Sequence, residues 1–114
     1  MHLFDCSHNS KIIEVPYGLE YFEPQIKELR LGGNNIEKIR QLEFRAFKTI
    51  EILRMEDNKI EIVEPSAFVS FKNITLLDLT MNKIKSFPNK LFLPMDKLER
   101  HELLKGVQAT TVKK

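Results

Sequence analysis

Residues 29–36 read LRLGGNNI, and closely similar stretches follow as LRMEDNKI at residues 53–60 and LDLTMNKI at residues 77–84. The copies recur at a 24-residue step, as the positions of Asn34, Asn58 and Asn82 show. A fixed period of this length indicates a chain built by stacking copies of one structural unit.

The same step relates apolar residues in seven further columns, three residues in each. The columns are Ile26, Ile50 and Ile74; Leu29, Leu53 and Leu77; Leu31, Met55 and Leu79; Ile36, Ile60 and Ile84; Ile39, Val63 and Phe87; Phe44, Phe68 and Phe92; and Phe47, Phe71 and Met95. Apolar residues make up 42% of the chain, so independent draws would fill all these positions about once in 10⁸ trials. The repeat therefore reflects the structure of the chain.

These three stretches resemble the leucine-rich-repeat signature, and the resemblance covers residues 26–97. A 24-residue repeat with two phenylalanine columns is similar to the typical extracellular class, which includes Toll-like receptors, Slit proteins and the variable lymphocyte receptors of lampreys. The resemblance implies an α/β fold, a right-handed solenoid in a short horseshoe arc. Parallel β-strands would line its concave face, and irregular or 3₁₀ arms its convex face. Residues 40–48 leave room for a turn or two of helix, whereas Pro65 and Pro88 interrupt the equivalent stretches.

The asparagine column predicts a hydrogen-bonded ladder inside the solenoid. A side-chain amide offers two donors and an acceptor, so Asn34, Asn58 and Asn82 can each satisfy backbone groups at a tight bend. The phenylalanines are interpreted as core residues that stack from turn to turn.

The chain divides into an N-terminal cap at residues 1–25, three repeats at residues 26–97, and a degenerate fourth repeat with a frayed tail at residues 98–114. Leu98, Leu103 and Leu104 could begin a fourth strand, but Gly106 replaces the asparagine. We expect this weakly capped end to allow self-association.

Cys6 lies in a segment that resembles the end of the cysteine-flanked cap of extracellular members. In that family the matching cysteine closes a disulfide with a cysteine further upstream. Either the natural chain extends beyond Met1 and supplies that partner, or the cap works with a reduced thiol. The first choice places the full-length protein outside the cell or anchored to a membrane, where Asn73 in the sequon Asn73-Ile74-Thr75 could carry a sugar. The second allows a cytoplasmic protein, because the chain as given shows no signal peptide.

Several kinds of chemistry find no support in the sequence. Eighteen basic against sixteen acidic residues give a net charge of +2, which argues against a nucleic-acid partner. No apolar run is long enough to insert into a membrane. No grouping of residues has the spacing of a metal site, a cofactor-binding loop or a catalytic constellation, so the chain is not expected to be an enzyme.

The strand residues that alternate with the core columns should point to the concave face, in three lateral rows. The first holds Glu28, Ile52, Leu76 and, in the fourth repeat, Arg100; the second holds Arg30, Arg54, Asp78 and Glu102; the third holds Gly32, Glu56, Thr80 and Leu104. Ile52 and Leu76 form an apolar pair aimed at solvent. Arg30 beside Arg54 juxtaposes like charges, as does Asp78 beside Glu102, an arrangement that stability alone would not favour.

The sequence thus predicts a recognition module that binds a protein through its concave face. Its candidate contact residues are Arg30, Ile52, Arg54, Glu56, Leu76, Asp78, Thr80 and Glu102. The compartment implied by the resemblance points to adhesion or innate-immune recognition. The alternatives are a cytosolic leucine-rich-repeat scaffold and a truncated, non-catalytic piece of a larger receptor.

Overall fold

A computed structural model, which describes residues 3–16, 18 and 25–95, shows a coil whose turns each contribute one strand to a parallel sheet. The strands are β1 (Leu3–Asp5), β2 (Glu28–Arg30), β3 (Lys38–Ile39), β4 (Ile52–Arg54), β5 (Ile62–Val63) and β6 (Leu76–Asp78). The main sheet has the order β1-β2-β4-β6, and a second sheet pairs β3 with β5. The predicted solenoid of parallel strands is confirmed.

The register of the main sheet follows the 24-residue step. Leu29 lies opposite Leu53, and Leu53 opposite Leu77, so the middle residue of each repeat strand points into the core. The residues on either side of it are only partly buried. This alternation is what a strand with one buried face requires.

The core is a stack of the apolar columns. Every member of the seven columns is buried except Phe87 and Phe92, which are partly buried against the same cluster. The ring of Phe68 lies 6.1 Å from that of Phe44 and 6.4 Å from that of Phe92, measured between centroids. Aromatic rings at such separations attract one another, so each turn of the coil holds the next.

The convex arms are irregular, as predicted, but the turn or two of helix expected at residues 40–48 is absent. That stretch contains successive turns, in which Glu43 N donates to Arg40 O and Phe47 N donates to Phe44 O. Leu42 between them has a φ of 60°, in the left-handed region, where a right-handed helix cannot continue.

The N-terminal segment contributes a strand that the sequence analysis did not predict. β1 pairs with β2 in parallel, with Phe4 opposite Leu29, so its offset is one position longer than the 24-residue step. Phe4, Cys6 and Ile12 pack against the core cluster. The predicted boundaries of the cap, the repeats and the tail stay predictions, and the fourth repeat lies outside the described residues.

Candidate protein-binding face

The concave face is formed by the partly buried residues of the main sheet. Register places Glu28, Ile52 and Leu76 in one row and Arg30, Arg54 and Asp78 in the next. β1 lengthens both rows, because Leu3 lies opposite Glu28 and Asp5 opposite Arg30. The cap is therefore part of this face, a contribution that the sequence signals only through the likeness of Phe4-Asp5-Cys6 to Leu29-Arg30-Leu31.

The apolar part of the face is the pair Ile52 and Leu76. The two residues are register partners on adjacent strands, and both are partly buried. Partners across a sheet lie about 5 Å apart, so their side chains form one continuous apolar surface. This surface is held by the hydrogen-bonded backbones of β4 and β6.

The charged row is compensated within the molecule. Arg30 Nε donates to Glu28 Oε2 at 2.6 Å, and Arg54 Nε donates to the same oxygen at 3.4 Å. At the ends of the row, Arg30 lies 3.7 Å from the carboxylate of Asp5, and Arg54 lies 4.0 Å from that of Asp78. The hydrogen bond to Glu28 is the main reason that the pKa of Arg30 is raised.

This arrangement corrects the expectation that Arg30 and Arg54 are unfavourable neighbours. The repeat places Glu28 in a separate row, and nothing in the sequence indicates that its side chain bridges the two arginines. A charge two positions along a strand lies on the same face and can reach across to the next strand. The like charges of Arg30 and Arg54 therefore carry no independent sign of a binding site.

The third row contains Gly32, Glu56 and Thr80. The Thr80 hydroxyl donates to Asp78 Oδ1 at 2.7 Å. The carboxylate of Glu56 occupies the space that any side chain at position 32 would need, since a Cβ there would collide with it. Glu56 Oε1 is buried and has no hydrogen-bond donor in the described part of the chain, although the charge of Glu56 helps to raise the pKa of Arg30.

Asparagines hold the bends immediately after the strands. Asn58 Nδ2 donates to Leu31 O at 3.0 Å and Met55 O at 3.1 Å, and its Oδ1 accepts from Ile36 N at 3.0 Å. Asn82 repeats these contacts one turn later, donating to Met55 O at 2.9 Å and accepting from Ile60 N at 3.0 Å.

Asn34 differs on its acceptor side. Its Nδ2 donates to Cys6 O at 3.1 Å, the counterpart of the bond from Asn58 to Leu31. Its Oδ1, although buried, has no donor among the described residues. The asparagine ladder therefore extends into the cap through the hydrogen bond from Asn34 Nδ2 to Cys6 O. Among the described residues, no matching hydrogen bond to Asn34 Oδ1 extends it on the acceptor side.

The remaining predicted residues lie away from this face or outside the described chain. Cys6 is a free, partly buried thiol whose pKa is raised by burial and, to a smaller extent, by the charge of Asp5. Asn73 is exposed next to the buried Ile74, close to the start of β6. Glu102, together with Arg100 and Leu104, falls outside the described residues.

The described residues also bear on two other kinds of site. Residues 3–16, 18 and 25–95 contain no group of three or more His, Cys, Asp or Glu side chains placed to hold a metal ion. The same residues include no helix with the length and hydropathy of a membrane span.

Comparisons with known proteins agree with this architecture. A family model described as leucine rich repeat matches residues 24–84 and residues 48–100. Among solved structures, a crystal structure of a TLR13–ssRNA13 complex superposes with a TM-score of 0.64 at 35% sequence identity, over 66% of this chain. The match spans only 11% of the TLR13 chain. No curated protein shows significant similarity to the chain.

Proposed function

The chain belongs to the leucine-rich-repeat family, and we propose that it is a non-catalytic recognition module whose concave face binds a protein. The observation that carries the proposal is the apolar pair Ile52 and Leu76, set in register on a hydrogen-bonded sheet whose other outward residues are mostly charged or polar. Binding energy at protein interfaces concentrates in a few central apolar or aromatic side chains, surrounded by polar groups that exclude water.

The other contacts follow from position in the sheet. Arg30, Arg54 and Asp78 border the apolar pair on one side, and Glu56 and Thr80 lie beyond them. The ion pairs of Arg30, Arg54 and Asp78 restrict these three side chains before any partner binds, which lowers the entropic cost of binding. Glu102 would extend the second row if a fourth strand forms.

A protein partner fits this face better than a nucleic acid does. The ssRNA in the matched complex belongs to TLR13. A nucleic acid is held mainly by cations that neutralise its phosphates, and here Arg30 and Arg54 are both engaged by carboxylates.

We also infer an extracellular or membrane-anchored setting for the full-length protein, with a role in adhesion or innate-immune recognition. The exposed Asn73 in its sequon and the likeness to a Toll-like receptor support this setting. Expression of the chain behind a secretory signal should add a glycosidase-sensitive glycan, and Asn73→Gln should remove it. Secretion of an unmodified chain would favour the cytosolic scaffold.

The concave face is tested by a double variant of the full chain, Ile52→Asp with Leu76→Ser. A photo-reactive amino acid at Thr80 would capture the partner in cells that express the chain. The captured polypeptide should fall to background in the double variant, because its apolar anchor is lost, while circular dichroism stays unchanged.

Ile62→Asp is the matched control, because Ile62 is 53% exposed but lies in the second sheet. It should leave capture intact. Equal capture by the wild-type chain and the double variant would refute the assignment of this face.

A further inference from the structure

We propose that the partner places a lysine or arginine side chain against Glu56, about 13 Å along the sheet from the group that covers Ile52 and Leu76. This inference rests on the proposed function, since it specifies the chemistry that the concave face would select. It follows from the pattern of ion pairs on that face, in which some charges are paired and others are not.

The positive charges of the face are engaged internally. Glu28 bridges Arg30 and Arg54, while Asp5 and Asp78 approach the arginines from the two ends of the row. A partner carboxylate or phosphate would have to compete with these groups. The guanidinium groups are therefore poor primary contacts for an anionic ligand.

Glu56 is less completely paired than Asp5, Glu28 and Asp78, because its charge helps to raise the pKa of Arg30 but the two side chains form no ion pair. It is partly buried, its carboxylate lies over Gly32, and its Oε1 has no donor in the described part of the chain. The one hydroxyl of the same row, that of Thr80, is directed to Asp78. An unpaired buried carboxylate oxygen is unfavourable. Because Oε1 is buried, a donor supplied by the partner relieves that cost when the Glu56 side chain rotates away from Gly32 on binding.

The net charge of the concave face is negative, like that of Glu56. Its outward charged residues within the described chain are Asp5, Glu28, Glu56 and Asp78 against Arg30 and Arg54. Four acids against two bases leave −2, although the whole chain carries +2. The face is therefore complementary to a cationic partner, even though the net charge of the whole chain is positive.

The spacing of the contacts follows from the strand. Glu56 comes four positions after Ile52. Because a strand rises about 3.3 Å per residue, the two contacts are about 13 Å apart along the direction of β4. A partner segment that satisfies both must present an apolar group and a cation at this separation.

A small cationic probe tests the Glu56 contact directly. Arginine amide is titrated into the isotope-labelled 114-residue chain while amide NMR shifts are recorded. We expect saturable shifts centred on Gly32 and Glu56, with a dissociation constant that rises about tenfold in Glu56→Gln. Glu61→Gln is the control, because Glu61 is exposed and lies outside the concave face; it should titrate like wild type.

Three results would overturn the proposal. The shifts could be equal in wild type and Glu56→Gln, as they would be if solvent or Arg30 satisfied the carboxylate. They could be spread evenly over the exposed acids of the chain. Finally, a ten-nucleotide oligouridylate could perturb the same residues at lower concentration than arginine amide, which would assign the face to RNA.

Selection from a random peptide library separates this inference from the proposed function. Peptides that need Ile52 and Leu76, carry a basic residue and bind about tenfold more weakly to Glu56→Gln would support both. Peptides that need Ile52 and Leu76 but bind Glu56→Gln as well as wild type would refute the cationic contact alone. Peptides indifferent to Ile52→Asp with Leu76→Ser would refute the concave face.

Discussion

At the scale of single residues, the asparagines of the second and third turns matter most for the one backbone N–H that each accepts from, that of Ile36 for Asn58 and that of Ile60 for Asn82. Leu31 O accepts from both Asn34 and Asn58, so the loss of either side chain leaves this carbonyl paired. Ile36 N is different, because its hydrogen bond goes to Asn58 Oδ1. Removing the Asn58 amide therefore leaves the buried N–H of Ile36 without an acceptor, whereas Leu31 O keeps its hydrogen bond from Asn34.

We expect Asn58→Leu to lower the free energy of unfolding by about 1–3 kcal/mol, because a buried donor is left unpaired. Asn34→Leu should cost less, since Asn34 Oδ1 accepts no hydrogen bond from the described residues. Urea denaturation of both variants measures the difference. A neutral Asn58→Leu, or an Asn34→Leu that costs more than Asn58→Leu, would contradict the roles assigned to the two amides.

Two columns of left-handed residues also repeat with the coil. Gly33, Asp57 and Met81 have φ values of 67°, 55° and 58° at the bend after the strands. Leu42, Ser66 and Lys90 have φ values of 60°, 63° and 65° in the arms. The sequence predicted the first bend from the asparagine column, whose members directly follow Gly33, Asp57 and Met81. It gave no sign of the second, because Leu42 is not a residue type that favours turns.

We expect Met81→Gly to raise the free energy of unfolding by about 0.5–1 kcal/mol. The left-handed conformation costs an L-residue roughly 1–2 kcal/mol, and the greater freedom of glycine in the unfolded chain offsets part of that gain. Met81 is 69% exposed, so little packing is lost.

Gly33→Ala provides the opposite change at the same place in the repeat. This substitution should lower the free energy of unfolding by at least about 1 kcal/mol. Residue 33 has a positive φ, which is unfavourable for alanine, and the added Cβ would also collide with the ring of His8. Thermal and urea unfolding would test both changes. The same sign for Met81→Gly and Gly33→Ala would show that backbone conformation does not decide stability at this bend.

At the scale of elements, the second sheet ends at β5 because the next turn has a proline where a donor is needed. Glu64 N donates to Ile39 O at 2.9 Å, which ties the second turn to the first. The 24-residue step places Pro88 at the position of Glu64, and proline has no N–H. Phe87 in the third turn is correspondingly less buried than Ile39 and Val63.

Pro88→Val should add a third strand to this sheet. The new N–H can donate to Val63 O, and one such hydrogen bond contributes about 0.5–1.5 kcal/mol. Hydrogen exchange would show the amide of residue 88 protected to the same degree as that of Glu64. An amide that exchanges at the rate of an unfolded peptide would mean that the third turn diverges for another reason.

The sequence predicted the strands of the three repeats but not the elements outside the consensus. β2, β4 and β6 could be predicted because Leu29 and its copies are each followed by one polar and one apolar residue, at the same place in every repeat. β3 and β5 are only two residues long each, too short to show an alternation of apolar and polar residues. β1 was hidden because its offset departs from the 24-residue step, and with it the contribution of Leu3 and Asp5 to the candidate face.

For the candidate face, the sequence predicted which residues point outward but not how they pair. Ile52 and Leu76 could be placed side by side from the repeat alone. The bridging by Glu28 and the position of Glu56 over Gly32 depend on side-chain conformations, which the period of the repeat does not fix. The sign of the charge that the face offers a partner therefore became apparent only from the structure.

At the scale of the whole molecule, the strands of the described turns contact only those of neighbouring turns. β4 pairs with β2 and β6, and the ring of Phe68 contacts those of Phe44 and Phe92. Stability should then grow with the number of turns, as in other solenoids, because each added turn brings a new interface without changing the old ones. The first turn is less completely hydrogen-bonded than the next two, since Asn34 Oδ1 has no donor among the described residues.

Duplication of residues 50–73 directly after Asn73 should therefore stabilise the chain. The insertion preserves every column, since Ile74 again follows Asn73, and it buries one more set of apolar residues around one more asparagine. Both the urea midpoint and the slope of the unfolding transition should rise, because more surface is exposed on unfolding. Insertion of residues 50–61 alone at the same point would put Ile74 half a turn out of register and should unfold the coil. If the full duplication left the slope unchanged, the added turn would not be stacked on its neighbours, and stability would not be the sum of contacts between adjacent turns.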